Sequence, residues 1–357
     1  MKRLLRKELV FSLVITLAGL FVLELAARWL MARATPEPAV PASIGQFDSR
    51  LGWSLKPLAS AVSRRTGQPV EYRINSQGLR GPETSYEKPA GVFRIVLLGD
   101  SRTFGFGVPI EQHYSTLLAG YFDKVEVINL GTSGYGVDQE LLFLEYEGFR
   151  YRPDLVIAYV AHYSNQRHMY TERFGKQKPR FVLKNGGLTL TNSPVPSPTA
   201  EAQPGSLPKQ IHRWLADQSV VYRIIVTGAL QAIRGTAPTA SSTPGEEMSE
   251  ASEAFVREML ELGAAIVFEM HDASARRGAH FVLVTQVPEL HQAALRRPLP
   301  SLDVTSALAN RAFDLPDDLG HVNEAGNGAL AWEIAAFLME KQLIPAAHLA
   351  PAHAQTP

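Results

Sequence analysis

Four short apolar runs, separated by helical stretches, constrain the fold of this chain more than any other feature. The runs cover residues 93–98, 125–130, 155–160 and 280–285. Runs of this kind are typical of strands that are buried on both faces of a parallel sheet. Helical patterns occur at residues 114–122, 139–148, 250–277 and 324–342. This alternation predicts an α/β fold with three layers, α/β/α, around a doubly wound, flavodoxin-like parallel sheet.

The stretch at residues 167–249 interrupts this alternation. Residues 180–184 and 188–191, joined by Asn185-Gly186-Gly187, predict a β-hairpin. A helical pattern follows at residues 211–233. Segments rich in proline and small residues flank it at 193–208 and 235–247. We therefore expect an insertion on the α/β core that contains a hairpin, a helix and two mobile loops.

Composition limits the classes of protein that this chain can belong to. Its 357 residues, of which 45% are hydrophobic, suffice for one large domain or two ordinary ones. The formal net charge of zero offers no basic excess for a nucleic-acid surface. The absence of cysteine excludes disulfides, thiolate chemistry and cysteine metal sites. We expect neither a metal nor a cofactor.

The N-terminus predicts a membrane anchor. Lys2, Arg3, Arg6 and Lys7 precede a largely apolar run at residues 9–27, which as a helix would rise about 28 Å, close to the thickness of a hydrocarbon core. Basic residues on the short side favour a cytoplasmic tip at 1–8. We therefore predict an uncleaved transmembrane segment at 9–30 in the inner membrane, with the remaining domain facing the periplasm or the outside.

Two alternatives to this anchor remain open. A signal peptide could be cleaved near Ala32-Arg33-Ala34, although Arg28 and Arg33 suit a cleavage region poorly. A buried core helix is the other alternative, but the run has no polar face.

After the anchor segment at 9–30 we predict a proline-rich linker at 31–46, a main domain at 47–345 and a disordered tail at 346–357.

Polar residues that could take part in catalysis follow the predicted strands. Gly99-Asp100-Ser101 ends the first strand, at the edge of a parallel sheet where ligands collect. A serine in such a turn can offer both a hydroxyl nucleophile and a backbone N–H for half an oxyanion hole. The tripeptide alone also fits an ordinary turn in which Asp100 or Ser101 caps a helix.

Three further groups follow in order. Residues 129–134 (Asn-Leu-Gly-Thr-Ser-Gly) lie after the second strand, and Asn165 lies after the third. Asp318 precedes His321 by three residues, and Asn323 and Gly326 follow. A neutral imidazole can take the proton of a serine, and a carboxylate can hold the ring in the right tautomer. We expect both side chains to reach inward from one turn before the last helix; Asp317 is adjacent, but the spacing favours Asp318.

These four groups resemble the sequence blocks of the SGNH (GDSL-type) hydrolases and acyltransferases, in particular membrane-anchored bacterial members. The resemblance implies that Ser101 is the nucleophile, His321 the general base and Asp318 the residue that orients the ring. It also implies an oxyanion hole formed by the N–H groups of Ser101 and Gly134 and the side-chain amide of Asn165. The third block departs from the family pattern, because the preceding glycine is missing and Gln166 stands in place of an aspartate.

Two further observations accompany this resemblance. Residues 47–53 and 75–83 look like the lead-in of the anchored members, and we interpret them as a structural cover over one edge of the sheet. His162 and His168 lack a third ligand at fitting spacing, so we interpret them as exposed or hydrogen-bonded loop residues.

The resemblance implies a serine esterase or O-acyltransferase that acts through an acyl-enzyme. We expect it to act on ester groups, chiefly O-acetyl groups, of exported or cell-envelope glycans. Its partners would be an acylated glycan or lipid substrate and the inner membrane. One alternative is a lipolytic esterase or thioesterase, with an apolar acyl pocket near Trp214 and the helix around Leu230. Another is a non-catalytic glycan-binding or assembly protein on the same scaffold.

Overall fold

A computed structural model describes residues 41–64, 66, 68–162, 166–198, 250–316 and 318–349, and in addition 15, 16, 19, 21–26 and 219. The side chains of residues 250, 251, 318 and 319 are outside this description. Contacts divide the chain into two units, Glu37–Pro198 with Ser249–Pro357, and Met1–Pro36 with Thr199–Met248. The predicted insertion is therefore divided, since residues 167–198, which include the hairpin, belong to the first unit and residues 199–248 to the second.

The second unit is described at few positions. Residues 15, 16, 19 and 21–26 are helical, and the Ser219 hydroxyl donates a hydrogen bond of 2.8 Å to the Glu24 carboxylate. Among the described residues, no helix combines the length and the apolar character that crossing a membrane requires. Several predictions lie outside the described residues: the tip at 1–8, most of the anchor at 9–30, the cleavage site at 32–34, and the helix at 211–233 with Trp214 and Leu230.

The first unit contains the strands and helices that we label in chain order. The strands are β1 (Gly45–Asp48), β2 (Gly52–Leu55), β3 (Ser60–Ser63), β4 (Val70–Arg73), β5 (Phe93–Gly99), β6 (Val125–Asn129), β7 (Leu155–Val160), β8 (Glu172–Arg173), β9 (Lys176–Gln177), β10 (Arg180–Lys184), β11 (Gly187–Thr191), β12 (His280–Thr285), β13 (Ser301–Asp303), β14 (Asp314–Leu315) and β15 (Asp318–Val322). The helices are α1 (Ser101–Phe104), α2 (Tyr114–Gly120), α3 (Val137–Tyr146), α4 (Glu250–Arg276), α5 (Pro288–Leu295) and α6 (Glu324–Glu340).

Five strands form the central sheet, in the order β13-β12-β7-β5-β6, and all neighbours run parallel. The predicted doubly wound fold is confirmed. Of these five strands, β5 comes first along the chain but lies inside the sheet. The chain therefore passes from β5 to β6 on one side and later to β7 on the other. At such a reversal of strand order, the loops at the carboxyl ends of adjacent strands separate and leave room for a ligand.

Alternating side chains of β5 build the two cores on either side of this sheet. Val96 and Leu98 point into the core shared with α3 and α4. Ile95 and Leu97 point into the opposite core, shared with α2 and α6. Successive side chains of a strand face opposite sides of the sheet. Because helices cover β5 on both faces, its run of apolar side chains has to be uninterrupted.

Smaller antiparallel pairs surround this core. Strands β1 and β2 pair with each other, as do β3 and β4. The predicted hairpin is confirmed as β10 and β11, with Asn185 and Gly186 in the turn, both at positive φ. Gly187, which we expected in the turn, belongs to the strand.

Two predicted boundaries of the main domain are wrong. Residues Ala42–Ile44 form a 3₁₀ helix, and the Ile44 side chain is fully buried, so the folded domain includes the end of the predicted linker. At the other end Ala346–His348 form another 3₁₀ helix, and Leu349 pairs with Phe122. The apolar side chain and the backbone hydrogen bonds hold these segments; residues 350–357 lie outside the described residues.

Candidate active site

The turn at residues 99–101, which holds the predicted nucleophile and is called the nucleophile turn below, lies at the carboxyl end of β5. Asp100 caps helix α1, because its Oδ1 atom accepts a hydrogen bond of 2.9 Å from the Arg102 N–H. Gly99 is required here, since a Cβ atom at that position would collide with the Thr103 side chain. Ser101 thus begins a helix of four residues, with its side chain at the carboxyl ends of the sheet strands.

Ser101 contacts His321 directly. The Nε2 atom of His321 lies 2.7 Å from the Ser101 Oγ atom, although the two residues are 220 positions apart in the sequence. The imidazole ring packs against Phe106, with the ring centroids 4.6 Å apart. In the tautomer that leaves Nε2 without a proton, this nitrogen can accept the serine proton, which is the contact that an activated serine needs.

His321 lies in a strand rather than in the predicted turn. Strands β14 and β15 pair with a register shift, in which Asp314 faces Val322 while Leu315 faces Asp318. Asn323 then caps α6, because its side chain accepts a hydrogen bond from the Gly326 N–H at 3.1 Å. The backbone of Asp318 begins β15, but its side chain lies outside the described residues, as does all of Asp317. The orienting role of Asp318 therefore stays a prediction.

The loop after β6 runs beside the nucleophile turn. The Thr132 N–H donates a hydrogen bond of 3.1 Å to the Gly99 carbonyl. Gly134 has φ +86°, a conformation that residues with a side chain rarely adopt. A Cβ atom there would also lie 2.8 Å from the Phe174 ring. Asn165, the third predicted oxyanion donor, lies outside the described residues.

Arg167 joins this loop to the nucleophile turn. Its Nη1 atom donates to the Asp100 carboxylate at 2.7 Å and to the Tyr135 carbonyl at 2.9 Å. Both charged side chains are almost fully buried, with exposed fractions of 8% for Arg167 and 3% for Asp100. One cation therefore sets the spacing between the residue before Ser101 and the residue after Gly134.

The Asp100–Arg167 pair carries opposite charges in spite of its burial. Burial raises the pKa of the Asp100 carboxyl, but the Arg167 guanidinium and the Arg102 N–H outweigh it, so the pKa lies below its usual value. Glu140 behaves differently, because burial and the nearby Asp100 charge raise its pKa well above the usual range. Neither carboxyl oxygen of Glu140 has a hydrogen-bond partner among the described residues. Burial and the Asp100 charge therefore favour the neutral form of the Glu140 carboxyl group.

Arg102 connects the nucleophile helix to the segment that holds the histidine. Its Nε atom donates to the Gly320 carbonyl at 2.7 Å, one residue before His321. Its Nη1 atom donates to the Tyr159 hydroxyl at 3.0 Å and to the Gln286 side chain. Arg102 therefore ties α1 to the carboxyl ends of β7 and β12 and to the middle of β15.

His113 supports the same helix from its other side. Its Nε2 atom lies 2.9 Å from the Arg102 carbonyl, and its Nδ1 atom lies 2.7 Å from the Ser115 hydroxyl. Burial, with a smaller contribution from Arg80, lowers the pKa of His113 from 6.5 to about 3. The ring is therefore neutral, donates from Nε2 to the carbonyl and accepts at Nδ1 from the hydroxyl.

The two lead-in segments, predicted to cover one edge of the sheet, contact the elements around the candidate site. The Trp53 Nε1 atom donates to the Ser133 carbonyl at 3.1 Å, and the Tyr135 hydroxyl donates to the Trp53 carbonyl at 2.5 Å. The buried Arg80 donates to the Phe104 carbonyl at 3.1 Å and to the Val108 carbonyl at 2.8 Å. One segment thus supports the loop of Gly134, and the other holds the end of α1.

Among the described residues, the site contains no cluster of metal ligands, and the cavity along the edge strand β6 lies away from it. In the part of the chain that the structure describes, no group of three or more His, Cys, Asp or Glu side chains could hold a metal. His168 is buried, with its Nε2 atom 2.8 Å from the Met259 carbonyl. A cavity of about 870 Å³ runs along the edge strand β6, but neither Ser101 nor His321 lines it. The Ser101–His321 contact is therefore the feature that locates the site.

Sequence reasoning predicted Ser101, His321 and Gly134 as site residues; the structure brings Ser101 and His321 into contact and sets the loop of Gly134 beside the turn of Ser101. Sequence reasoning missed the two arginines that hold these segments. Arg102 carried a signal, since a cation directly after the serine must find partners within a buried turn. Arg167 carried none, because its carboxylate partner lies 67 residues earlier and nothing local indicates the pairing.

No family model matches the chain, and no curated protein matches it. Among solved structures the chain is similar to Axe2, an acetylxylan esterase from Geobacillus stearothermophilus. The identity is 13%, with 71% of this chain and 96% of that chain covered and a TM-score of 0.38. It is also similar to the psychrotrophic esterase EstA from a Pseudoalteromonas species, at 12% identity, with 70% and 98% covered and a TM-score of 0.36.

A third similar structure, from Desulfitobacterium hafniense DCB-2, is described as belonging to the lipolytic G-D-S-L family. Its identity is 11%, with 69% of this chain and 99% of that chain covered and a TM-score of 0.37. At identities of 11–13%, the chemistry of this chain has to be derived from its own residues.

The substitution Arg167→Met tests the link between the two loops. It leaves the Asp100 carboxylate buried without a cation, so we expect the free energy of unfolding to fall by about 3–5 kcal/mol. Urea denaturation measures the change. Arg276→Met is the matched control, because Arg276 is exposed and pairs with Glu269 at the surface; we expect almost no change there. Equal losses in both variants would contradict the link.

His113 predicts a loss of stability in acid. The native state does not bind the His113 proton until about pH 3, whereas the unfolded chain binds it below about pH 6.5. Stability is therefore lost as the pH falls through this window, by up to about 1.4 kcal/mol per pH unit from this group. Denaturation at several pH values should show a shallower slope for His113→Gln than for the wild type. The slope of His280→Gln, at an exposed histidine, should match that of the wild type.

Proposed function

We propose that this protein is a serine esterase of the SGNH type, with Ser101 as nucleophile and His321 as general base. The 2.7 Å contact between the Ser101 Oγ and His321 Nε2 atoms carries this proposal. It joins a serine at the end of a central strand to a histidine 220 residues later, and no packing requirement of the core demands a hydrogen bond between them. The paired supports, Arg102 for the histidine segment and Arg167 for the glycine loop, favour a site held for chemistry.

The first half of the reaction forms an acyl-enzyme. His321 takes the Ser101 proton on Nε2 while Oγ attacks the ester carbonyl carbon, and the carbonyl oxygen becomes an oxyanion. The backbone N–H groups of Ser101 and Gly134, with the Asn165 amide, would stabilise that charge. The C–O bond to the alcohol then breaks, and the imidazolium returns its proton to the departing oxygen. Asp318 would hold the Nδ1 side of the ring throughout.

The second half resolves the acyl-enzyme. Water, or the hydroxyl of an acceptor sugar, loses a proton to His321 and attacks the acyl carbon. The bond to the Ser101 Oγ atom breaks as the proton returns to that oxygen. Hydrolysis and acyl transfer therefore share every protein group, and differ only in which hydroxyl reaches the acyl carbon.

The substrate that we propose is an O-acetyl ester on an exported or cell-envelope glycan. Phe174, which is 70% exposed, lies beside Gly134, and an exposed aromatic ring suits the C–H face of a sugar. We also propose that residues 9–30 anchor the protein in the inner membrane, with the esterase domain outside the cytoplasm. The basic residues before the apolar run support this topology.

The substitution Ser101→Ala tests the enzymatic proposal. We expect the wild type to hydrolyse p-nitrophenyl acetate, and the variant to lose about 10³-fold or more in kcat because the nucleophile is gone. A fluorophosphonate probe should label Ser101 in the wild type, which mass spectrometry can locate. Ser306→Ala, at an exposed serine, should keep full activity. Equal inertness of the wild type and Ser101→Ala, with Ser101 unlabelled, would instead favour the glycan-binding alternative.

A phosphatase fusion tests the proposed topology. A reporter phosphatase that folds only outside the cytoplasm, joined after Thr35, should be active because the anchor exports it. The matched fusion without residues 9–30 should be inactive. An inactive reporter in the complete fusion would overturn the topology, while leaving the esterase proposal intact.

A further inference from the structure

The small hairpin of β8 and β9 places an aromatic ring where folding does not require one. Phe174 and Gly175 form its two-residue turn, with φ values of +53° and +69°. Such turns favour Asn or Gly at the first position, and the neighbouring hairpin of β10 and β11 follows that rule with Asn185-Gly186. Phe174 breaks the rule and is also 70% exposed, so neither turn chemistry nor core packing explains it.

The base of this hairpin is held firmly. Lys178, directly after β9, forms a fully buried ion pair with Asp138 in the first turn of α3. The Lys178 Nζ atom also donates to the Tyr170 carbonyl at 3.1 Å and to the Pro179 carbonyl at 2.9 Å. The tip residues therefore project from a fixed support, as a preorganised binding element requires.

The Phe174 ring borders the proposed oxyanion loop. Its Cε2 and Cδ2 atoms lie 2.8 and 3.4 Å from the place where a Cβ atom on Gly134 would stand. A Trp53 ring atom lies 3.4 Å from the same point. A substrate whose carbonyl oxygen reaches the Gly134 N–H therefore passes beside the Phe174 ring.

Arg173 brings a positive charge to the same place. Its guanidinium carbon lies 4.3 Å from the centroid of the Phe174 ring, and its Nε atom is buried without a hydrogen-bond partner among the described residues. The guanidinium interacts electrostatically with Asp100 and Arg167, but Asp100 already pairs with Arg167. Burial lowers the pKa of Arg173 only to about 10, so it is a cation at neutral pH.

The other charges of the hairpin do not cancel this cation. Lys176, opposite Arg173 in the pair, adds a second positive charge and lies 5.9 Å from the Trp53 ring centroid. Glu172 is the hairpin's acidic residue, and it precedes Arg173 in the same strand, so the two side chains leave opposite faces.

We infer that the Arg173–Phe174 tip is a subsite for a sugar ring that bears a carboxylate, next to the ester that Ser101 attacks. The ring would pack its C–H face on Phe174, and the carboxylate would accept hydrogen bonds from the Arg173 guanidinium, whose planar fork matches a carboxylate. The inference rests on the proposed function and narrows its substrate to acidic, uronate-type glycans.

Three substrates separate this subsite from the catalytic groups: p-nitrophenyl acetate, an O-acetylated xylo-oligosaccharide and an O-acetylated oligogalacturonate. We expect Arg173→Gln to lower kcat/KM roughly tenfold on the galacturonate, mainly through KM, because charge-assisted hydrogen bonds are lost. The other two substrates should change little. Added salt should weaken the wild type on the galacturonate and Arg173→Gln much less.

Phe174→Asn is the second variant, since it restores the residue that the turn prefers while removing the ring. We expect it to lower kcat/KM on both oligosaccharides but not on p-nitrophenyl acetate. Arg276→Gln, an exposed arginine on α4, serves as the control and should resemble the wild type on all three substrates.

Binding keeps the inference testable without turnover. In the Ser101→Ala background, calorimetry should show tighter binding of unacetylated oligogalacturonate than of neutral xylo-oligosaccharide, and Arg173→Gln should abolish the difference. Equal binding of both sugars, or an Arg173→Gln defect of equal size on all three substrates, would overturn the subsite. Absence of Ser101-dependent hydrolysis on every substrate, with the binding preference intact, would instead contradict the proposed function alone.

Discussion

The buried ion pair between Asp100 and Arg167 is the interaction on which the geometry of the site depends. Removing two charges from water is costly, and their mutual attraction offsets that cost only where the geometry is good and further hydrogen bonds satisfy both groups. Here Asp100 also accepts from the Arg102 N–H, and Arg167 also donates to the Tyr135 carbonyl, while the Arg167 Nε atom has no hydrogen-bond partner among the described residues. A pair of this kind adds little stability compared with an apolar contact, but it allows only one relative position of the two loops.

The nucleophile helix illustrates why such external supports are necessary. Helix α1 has four residues, too few to be stable on its own, because the cost of nucleating a helix is recovered only over several turns. Its backbone is instead held by groups from elsewhere: His113 on the Arg102 carbonyl and Arg80 on the Phe104 carbonyl. The rigidity of the Ser101 position therefore comes from buried polar side chains of distant segments rather than from the helix itself.

Much of this architecture could be predicted from the sequence. Strand β5 is predictable from its apolar run, because a strand buried on both faces has to be apolar at every position. Strand β13 gave no such signal, since its three residues include Ser301 and Asp303. Helix α5 does have a sequence signal, which is Pro288 at its first position, where the fixed φ of proline suits the start of a helix.

Residues of the candidate site could be predicted only where chemistry dictates local residue types. Ser101, Gly134 and His321 each follow a strand or precede a helix in a recognisable block. Arg167 stands next to Gln166, where the block departs from its usual aspartate, and its role emerges only once the fold brings Asp100 beside it. Partnerships between distant charges leave no periodicity in a sequence, because they are set by the packing of whole elements.

The distance in sequence between the proposed nucleophile and the proposed base also has a consequence for synthesis and folding. Ser101 belongs to the first strand–helix junction of the sheet, while His321 arrives 220 residues later, on the last strand before the final helix. Closing so long a loop costs conformational entropy that only the surrounding packing can repay. If Ser101 and His321 have the proposed roles, a partly synthesised or partly folded chain holds the serine without its base. Esterase activity would therefore appear only after the first and the last parts of the domain have packed together.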